Sequence, residues 1–213
     1  MTWHLQLLHF KDAVAVELPG HPNSSGLATI EEYANYVANY VQKNGVKDLV
    51  LVGHSMGGAI AIEIALRNLN LAGLVLVGTG ARLRVHPDLL SKTKENYEEA
   101  TKLIATWSVS PTCDPIVAER IRNELLKVKA DVTYGDFTAC DKFDRMNDIE
   151  KIPYRTLIVV GADDRLTPVK YSKYLHDKIK DSKLVVIPGA GHSVMLEKHR
   201  LFNEALEAFL DSV

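Results

Sequence analysis

An α/β architecture, a mostly parallel sheet flanked by helices with one helical insertion, is what the sequence predicts, and three observations lead to it. Short runs rich in Val and Leu recur at 13–16, 49–52, 74–77, 157–160 and 184–187, each ending in glycine or a polar turn. None alternates apolar with polar residues, as a strand with one wet face does, so they read as strands buried on both faces. Helical patterns lie between most of them, and the alternation breaks once, after Gly80.

Taken in order, the first long helix is announced by Thr29 followed by Glu32, a capping box, after which Ile30, Tyr33, Ala34, Val37 and Val41 share one face and Gly45 stops the helix. The residues between Gly80 and Leu157 are too many for an ordinary loop. They are expected to form a helical cap insertion over the C-terminal edge of the sheet, which divides the chain into a core of 1–80 and 153–213 and an insertion of 81–152. Asp114-Pro115 opens a helix in it, and Ile116, Ile121, Leu125 and Val128 are its expected packing residues. Thr167 as cap with Pro168 at the first helical position starts another helix, striped by Tyr171, Leu175 and Ile179. A last helix is expected over 194–210.

The chain has 213 residues, enough for one domain with a substantial core. Its 25 Lys and Arg against 27 Asp and Glu give no excess of positive charge, which argues against nucleic acid or an anionic membrane as partner. The two cysteines, Cys113 and Cys140, stand far from any histidine cluster, so no metal site is expected, and Cys140 reads as a small core residue. No apolar stretch approaches a membrane span and the N-terminus lacks a signal-like pattern, so a soluble, cytoplasmic protein is expected.

The run 49–52 leads into Gly53-His54-Ser55-Met56-Gly57-Gly58 and then an apolar helix. A serine held on so sharp a strand-to-helix turn is strained and exposed, and glycines beside it let backbone approach without a Cβ clash. The following helix points its N-terminus at the serine, so the Met56 N–H can hold a developing oxyanion. A serine needs a base. His192, in Pro188-Gly189-Ala190-Gly191-His192 just beyond a strand end, suits that role, whereas His54 reads as a packing or turn residue. His4, His9, His21, His86, His176 and His199 lack comparable context. The run 157–160 ends in Gly161-Ala162-Asp163-Asp164-Arg165-Leu166-Thr167-Pro168. On chemistry alone either aspartate can orient the imidazole while the other caps the turn or pairs with Arg165. Trp107, Phe137 and Leu103 are candidates to line an acyl pocket from the insertion, though aromatic residues in such a segment are more often core.

Three separated signals together resemble the α/β-hydrolase superfamily, in particular its small esterase, enol-lactonase and perhydrolase-like members. They are Gly53 to Gly58, then Gly161, Asp164 and Thr167-Pro168, and finally Gly189 to His192. The resemblance implies a catalytic triad of Ser55, Asp164 and His192, with Asp164 rather than Asp163 as the acid, and no cofactor. Residues 14–26, VAVELPGHPNSSG, are similar to the family's strand and D-x-P-G-H-G-x-S loop, with Glu17 and Pro22 departing from the pattern. Residues 3–10 resemble the helix after the His-Gly turn whose backbone gives family members a second oxyanion donor, so the fold is read as N-terminally shortened. Losing one such donor costs roughly 10²–10³ in turnover.

The strand that would lie between 13–16 and 49–52 is therefore expected to be missing. The chain is expected to close up its sheet, to form a homodimer through the vacated edge, or to be a shortened reading frame of a longer enzyme. Two functions follow. One is a serine hydrolase that cleaves a carboxylic ester or related acyl bond of a small molecule, a carboxylesterase-like enzyme. The other is a catalytically weak binding or signalling protein that keeps the triad without a complete oxyanion hole.

Overall fold

A computed structural model describes residues 2–22, 24–67 and 69–213. Asn23, within the 14–26 motif, lies outside the described residues, as do Met1 and Asn68.

The chain begins with a short helix, α1 (His4–His9), and the capped helix α2 (Ile30–Lys43), where the Thr29 side chain accepts the Glu32 N–H. The strand β1 (Val50–His54) feeds α3 (Met56–Leu66), which returns to β2 (Gly73–Val77). Four helices follow: α4 (Pro87–Glu95), α5 (Tyr97–Trp107), α6 (Pro115–Leu125) and α7 (Ala130–Lys142). Then come β3 (Thr156–Gly161), α8 (Val169–Lys178), β4 (Ser182–Ile187), α9 (Val194–Glu197) and α10 (His199–Leu210). The four strands form one parallel sheet in the order β1-β2-β3-β4.

The lack of alternation in the strands has its cause in this sheet. Leu74, Leu76 and Ile158 face α2 and α3, packing with Tyr33, Ala34, Ile60 and Ile64, while Val75, Val77, Leu157 and Val159 face α9 and α10, packing with Met195, Phe202, Leu206 and Phe209. Both faces are covered, so every position of β2 and β3 must be apolar or small, at about 1.5–3 kcal/mol for each large side chain removed from water. Because all four strands run the same way, the turns after them collect at one edge of the sheet.

Several expectations need correction. Residues 13–16 form no strand: the segment is largely exposed, with Val14 at 70%. Among the described residues no strand lies on the outer side of β1, so 13–16 has no ladder to join. Among the described residues the expected closing-up of the sheet, with 13–16 paired beside β1, is therefore not seen. The helix expected over 194–210 is broken at Lys198, whose φ of −128° and ψ of 47° are not helical. Thr167 does not cap α8; Pro168 occupies the cap position, and the threonine side chain is turned elsewhere. In α6 the Asp114 cap forms, accepting the Ile116 N–H, yet no residue of that helix is buried and Ile116 is exposed. Cys140 is buried in the core as expected.

Candidate active site

Ser55 sits between β1 and α3 with φ 54° and ψ −119°, a backbone conformation that costs a side-chain-bearing residue on the order of 1–3 kcal/mol. The surroundings hold it there. Its N–H donates to the Val77 carbonyl at 3.0 Å, and its own carbonyl accepts the Gly58 and Ala59 N–H groups and the Thr79 hydroxyl. Gly53 is needed because a Cβ there would stand 2.2 Å from the Gly57 carbonyl oxygen. Among the described residues the Met56 N–H has no protein acceptor, so it is available to an oxygen placed over the helix N-terminus.

Asp164 is buried at the end of β3, and all of its acceptor capacity is in use. Oδ1 accepts the Leu166 N–H at 2.9 Å and the Thr167 N–H at 2.8 Å, while Oδ2 accepts the Thr167 hydroxyl at 2.8 Å and the His192 Nδ1–H at 2.9 Å. Burial pushes this carboxyl up, but the His192 ring and the two Thr167 donors outweigh burial and hold it below the usual carboxylate range. A carboxylate accepts and never donates, so Nδ1 carries a proton, and in the neutral ring Nε2 carries the lone pair. The neighbouring Asp163 is exposed. Of the two aspartates left open by chemistry, the buried one therefore meets the histidine.

His192 is buried, and its turn is fastened from several sides. Asp163 N–H donates to the Ala190 carbonyl and Ala162 N–H to that of Ile187, docking the acid turn on the histidine turn. A Cβ on Gly161 would stand 2.1 Å from the Gly191 oxygen, so no side chain fits between the two turns. Glu197 accepts the Gly191 N–H at 2.8 Å through one carboxylate oxygen and the Ser110 N–H at 2.7 Å through the other. His54 makes a 3.0 Å hydrogen bond to the His192 carbonyl.

The structure thus brings Asp164 and His192 into direct contact and sets Ser55 at the same strand end. Ser55 is bonded to Val77, and a Cβ on the next residue, Gly78, would lie 3.2 Å from His192 Nδ1 and 3.3 Å from Asp164 Oδ2. Among the described residues no hydrogen bond joins the Ser55 hydroxyl to His192. Trp107 packs edge-on against the His86 ring at 5.4 Å and Phe137 is half-buried on α7; neither makes a ring contact or hydrogen bond with Ser55 or His192. A cavity of about 290 Å³ opens elsewhere, between Ser24, Gly26 and Leu27 and the start of α7 at Lys129 and Val132. Among the described residues there is no cluster of side chains able to hold a metal ion, and no helix is long and apolar enough to cross a membrane.

Sequence reasoning passed over three groups: Thr167, read as a helix cap; His54, read as packing; and Glu197. Thr167 carried a signal, since Asp followed three residues later by Thr is the spacing of a side chain that closes a turn on itself. Glu197 carried none, because its partners, Ser110 and Gly191, come together only in the fold.

A doubly covered parallel sheet with a strained serine at one strand end and a buried carboxylate-imidazole pair at its neighbours defines an α/β hydrolase. The chain belongs to the alpha/beta hydrolase family, whose sequence model matches residues 1–205. A solved structure described as a thermophilic esterase is 42% identical, with a TM-score of 0.90 over 99% of this chain and 84% of that one. The uncharacterized hydrolase YugF of Bacillus subtilis is 27% identical across 93% of this chain and 80% of its own length. A pimeloyl-[acyl-carrier protein] methyl ester esterase of Neisseria meningitidis is 26% identical across 93% of this chain and 68% of its own length.

Proposed function

We propose that this hydrolase cleaves carboxylic esters of small molecules through an acyl-enzyme, with Ser55 as nucleophile, His192 as general base and Asp164 as the group that orients it. The single observation that carries the reading is the Asp164 carboxylate, satisfied by four donors and bonded to His192 Nδ1, which leaves Nε2 as the basic nitrogen at the edge where Ser55 stands. The esterase names of the relatives and of the 42% identical structure point the same way.

In the first half-reaction the Ser55 oxygen attacks the ester carbonyl while His192 Nε2 takes its proton. Asp164 steadies the resulting imidazolium without accepting the proton. The carbonyl oxygen, now negative, faces the Met56 N–H and the N-terminus of α3, a stabilisation of the kind that contributes roughly 10²–10³ in turnover for one donor. His192 returns the proton to the leaving alcohol. Water then repeats the sequence on the acyl-enzyme, releasing the acid. The chemistry calls for no cofactor. The insertion 81–152 acts as the cap, reaching the histidine turn through Ser108 and Ser110.

The purified protein should release nitrophenol from p-nitrophenyl acetate and butyrate, and Ser55→Ala should lower kcat at least 10³-fold without a change in thermal midpoint. Hydrolysis that survives Ser55→Ala rejects the assignment, and complete inertness of the folded wild type favours a binding protein instead.

A further inference from the structure

Resting on that reading, we propose that His54 is a positioning residue: it ties the strand bearing the nucleophile to the carbonyl of the base, so that Ser55 and His192 move as one unit. The observation is a 3.0 Å hydrogen bond between His54 Nε2 and the His192 carbonyl oxygen, with the two rings 4.6 Å apart at an interplanar angle of 50°. Among the described residues it is the hydrogen bond that joins the strand carrying Ser55 directly to the histidine turn.

The other fastenings of His192 come from different elements. Asp164 and Thr167, after β3, hold its ring; Glu197 holds the Gly191 N–H; the Ser108 carbonyl holds the Ser193 N–H. Each fixes the base to β3, to α9 or to the insertion, and none to β1. His54 is itself anchored, because its backbone is paired with Val77 in the sheet and its ring stands nearly perpendicular to that of Trp3, the centroids 6.4 Å apart.

The chemistry of the bond fixes the state of His54. A carbonyl oxygen only accepts, so Nε2 must donate, which requires the Nε2–H tautomer. Burial, reinforced by the neighbouring His192 ring, pushes the His54 pKa down to about 3, so the ring stays neutral at working pH. A neutral ring can lie against His192 while that residue takes up a proton; a charged one would oppose it. Misplacement of a reacting group by about 1 Å costs up to roughly 10²-fold in rate, which sets the scale of the effect.

The test has two readouts. In the wild type, long-range ¹H–¹⁵N spectra at pH 7 should show His54 as the neutral Nε2–H tautomer, and an Nδ1–H or charged ring overturns the proposal. His54→Phe keeps a ring but has no donor, whereas His54→Gln restores an N–H. His54→Phe should lower kcat on p-nitrophenyl acetate about 10- to 100-fold at nearly unchanged KM and raise hydrogen exchange in a peptide covering 189–198, and His54→Gln should recover most of both. Should His54→Phe not fold, His54→Asn, whose amide is too short to span the bond, takes its place. Unchanged kcat and unchanged exchange overturn the tether. Exchange that rises in His54→Phe and recovers in His54→Gln, in a protein whose wild type has no esterase activity, retains the tether and discards the hydrolase reading.

Discussion

Asp164→Asn separates activity from stability in a way the hydrogen-bond geometry dictates. The carboxylate accepts two backbone N–H groups through Oδ1 and two side-chain donors through Oδ2. With an amide, one orientation keeps oxygen toward Leu166 and Thr167 and turns the NH₂ toward His192. The other points the NH₂ at two backbone N–H groups, each left unsatisfied at about 1–3 kcal/mol. The first orientation therefore wins. Thr167 can rotate its hydroxyl to accept, and the imidazole, now facing a donor, must accept at Nδ1 and carry its proton on Nε2. That tautomer has no lone pair for the Ser55 proton. The change of tautomer is worth about 10⁴ in kcat, the loss a serine protease suffers on the same Asp-to-Asn change, or about 5.5 kcal/mol of barrier. The loss in folding stability is that of replacing one charged acceptor by a neutral one, about 1 kcal/mol. Initial rates on p-nitrophenyl acetate at pH 8, alongside urea unfolding, measure both. A folded Asp164→Asn protein that keeps more than a tenth of wild-type kcat refutes the relay.

Two further outcomes follow from the same contacts. Gly161→Ala, whose Cβ would stand 2.1 Å from the Gly191 oxygen, should push the histidine turn away from β3, lowering kcat and costing several kcal/mol by urea unfolding; wild-type values would show that the turn yields freely. On acidification, His54 stays neutral in the fold down to about pH 3 but takes up a proton in the unfolded chain below about 6.5, so the unfolded state binds more protons and stability falls as pH drops through this window. The slope from this one group approaches about 1.4 kcal/mol per pH unit. Urea unfolding between pH 6.5 and 5 should show a steeper decline for the wild type than for His54→Phe, and parallel slopes would contradict it. Carboxylates such as Asp164 contribute at lower pH, since a depressed pKa gives stability that is lost only as pH falls below the usual carboxylate range.

Of the five strand runs, Leu74 to Val77 and Leu157 to Val160 were legible because burial on both faces leaves a local mark, whereas 49–52 and 184–187 form the outer strands β1 and β4 and are only partly buried, with Val186 exposed, against the expectation of burial on both faces. The fifth, 13–16, carries the same apolar mark, yet a strand exists only beside another, and the neighbour is a property of the assembled sheet. The turn holding Ser55 was legible because strain needs glycine around it, and Asp164 was distinguished from Asp163 only by resemblance until burial decided between them. Thr167 illustrates the limit. The same residue before proline is a helix cap in the sequence and a partner of Asp164 in the fold: its hydroxyl donates to the buried carboxylate, and with Pro168 in the cap position its oxygen accepts no N–H of the helix among the described residues. His54 acts through a carbonyl 138 residues away, and Glu197 joins an N–H 6 residues away to one 87 residues away, relations no local pattern records.

Whether Ser55 is an activated nucleophile is tested most directly by intact-mass measurement after exposure to a fluorophosphonate. One adduct per chain, mapped to Ser55, absent in Ser55→Ala and slowed at least 10³-fold in His192→Ala, is the result expected. A folded wild-type protein that takes up no label, or takes it up at another residue while Ser55 stays free, would contradict the assignment.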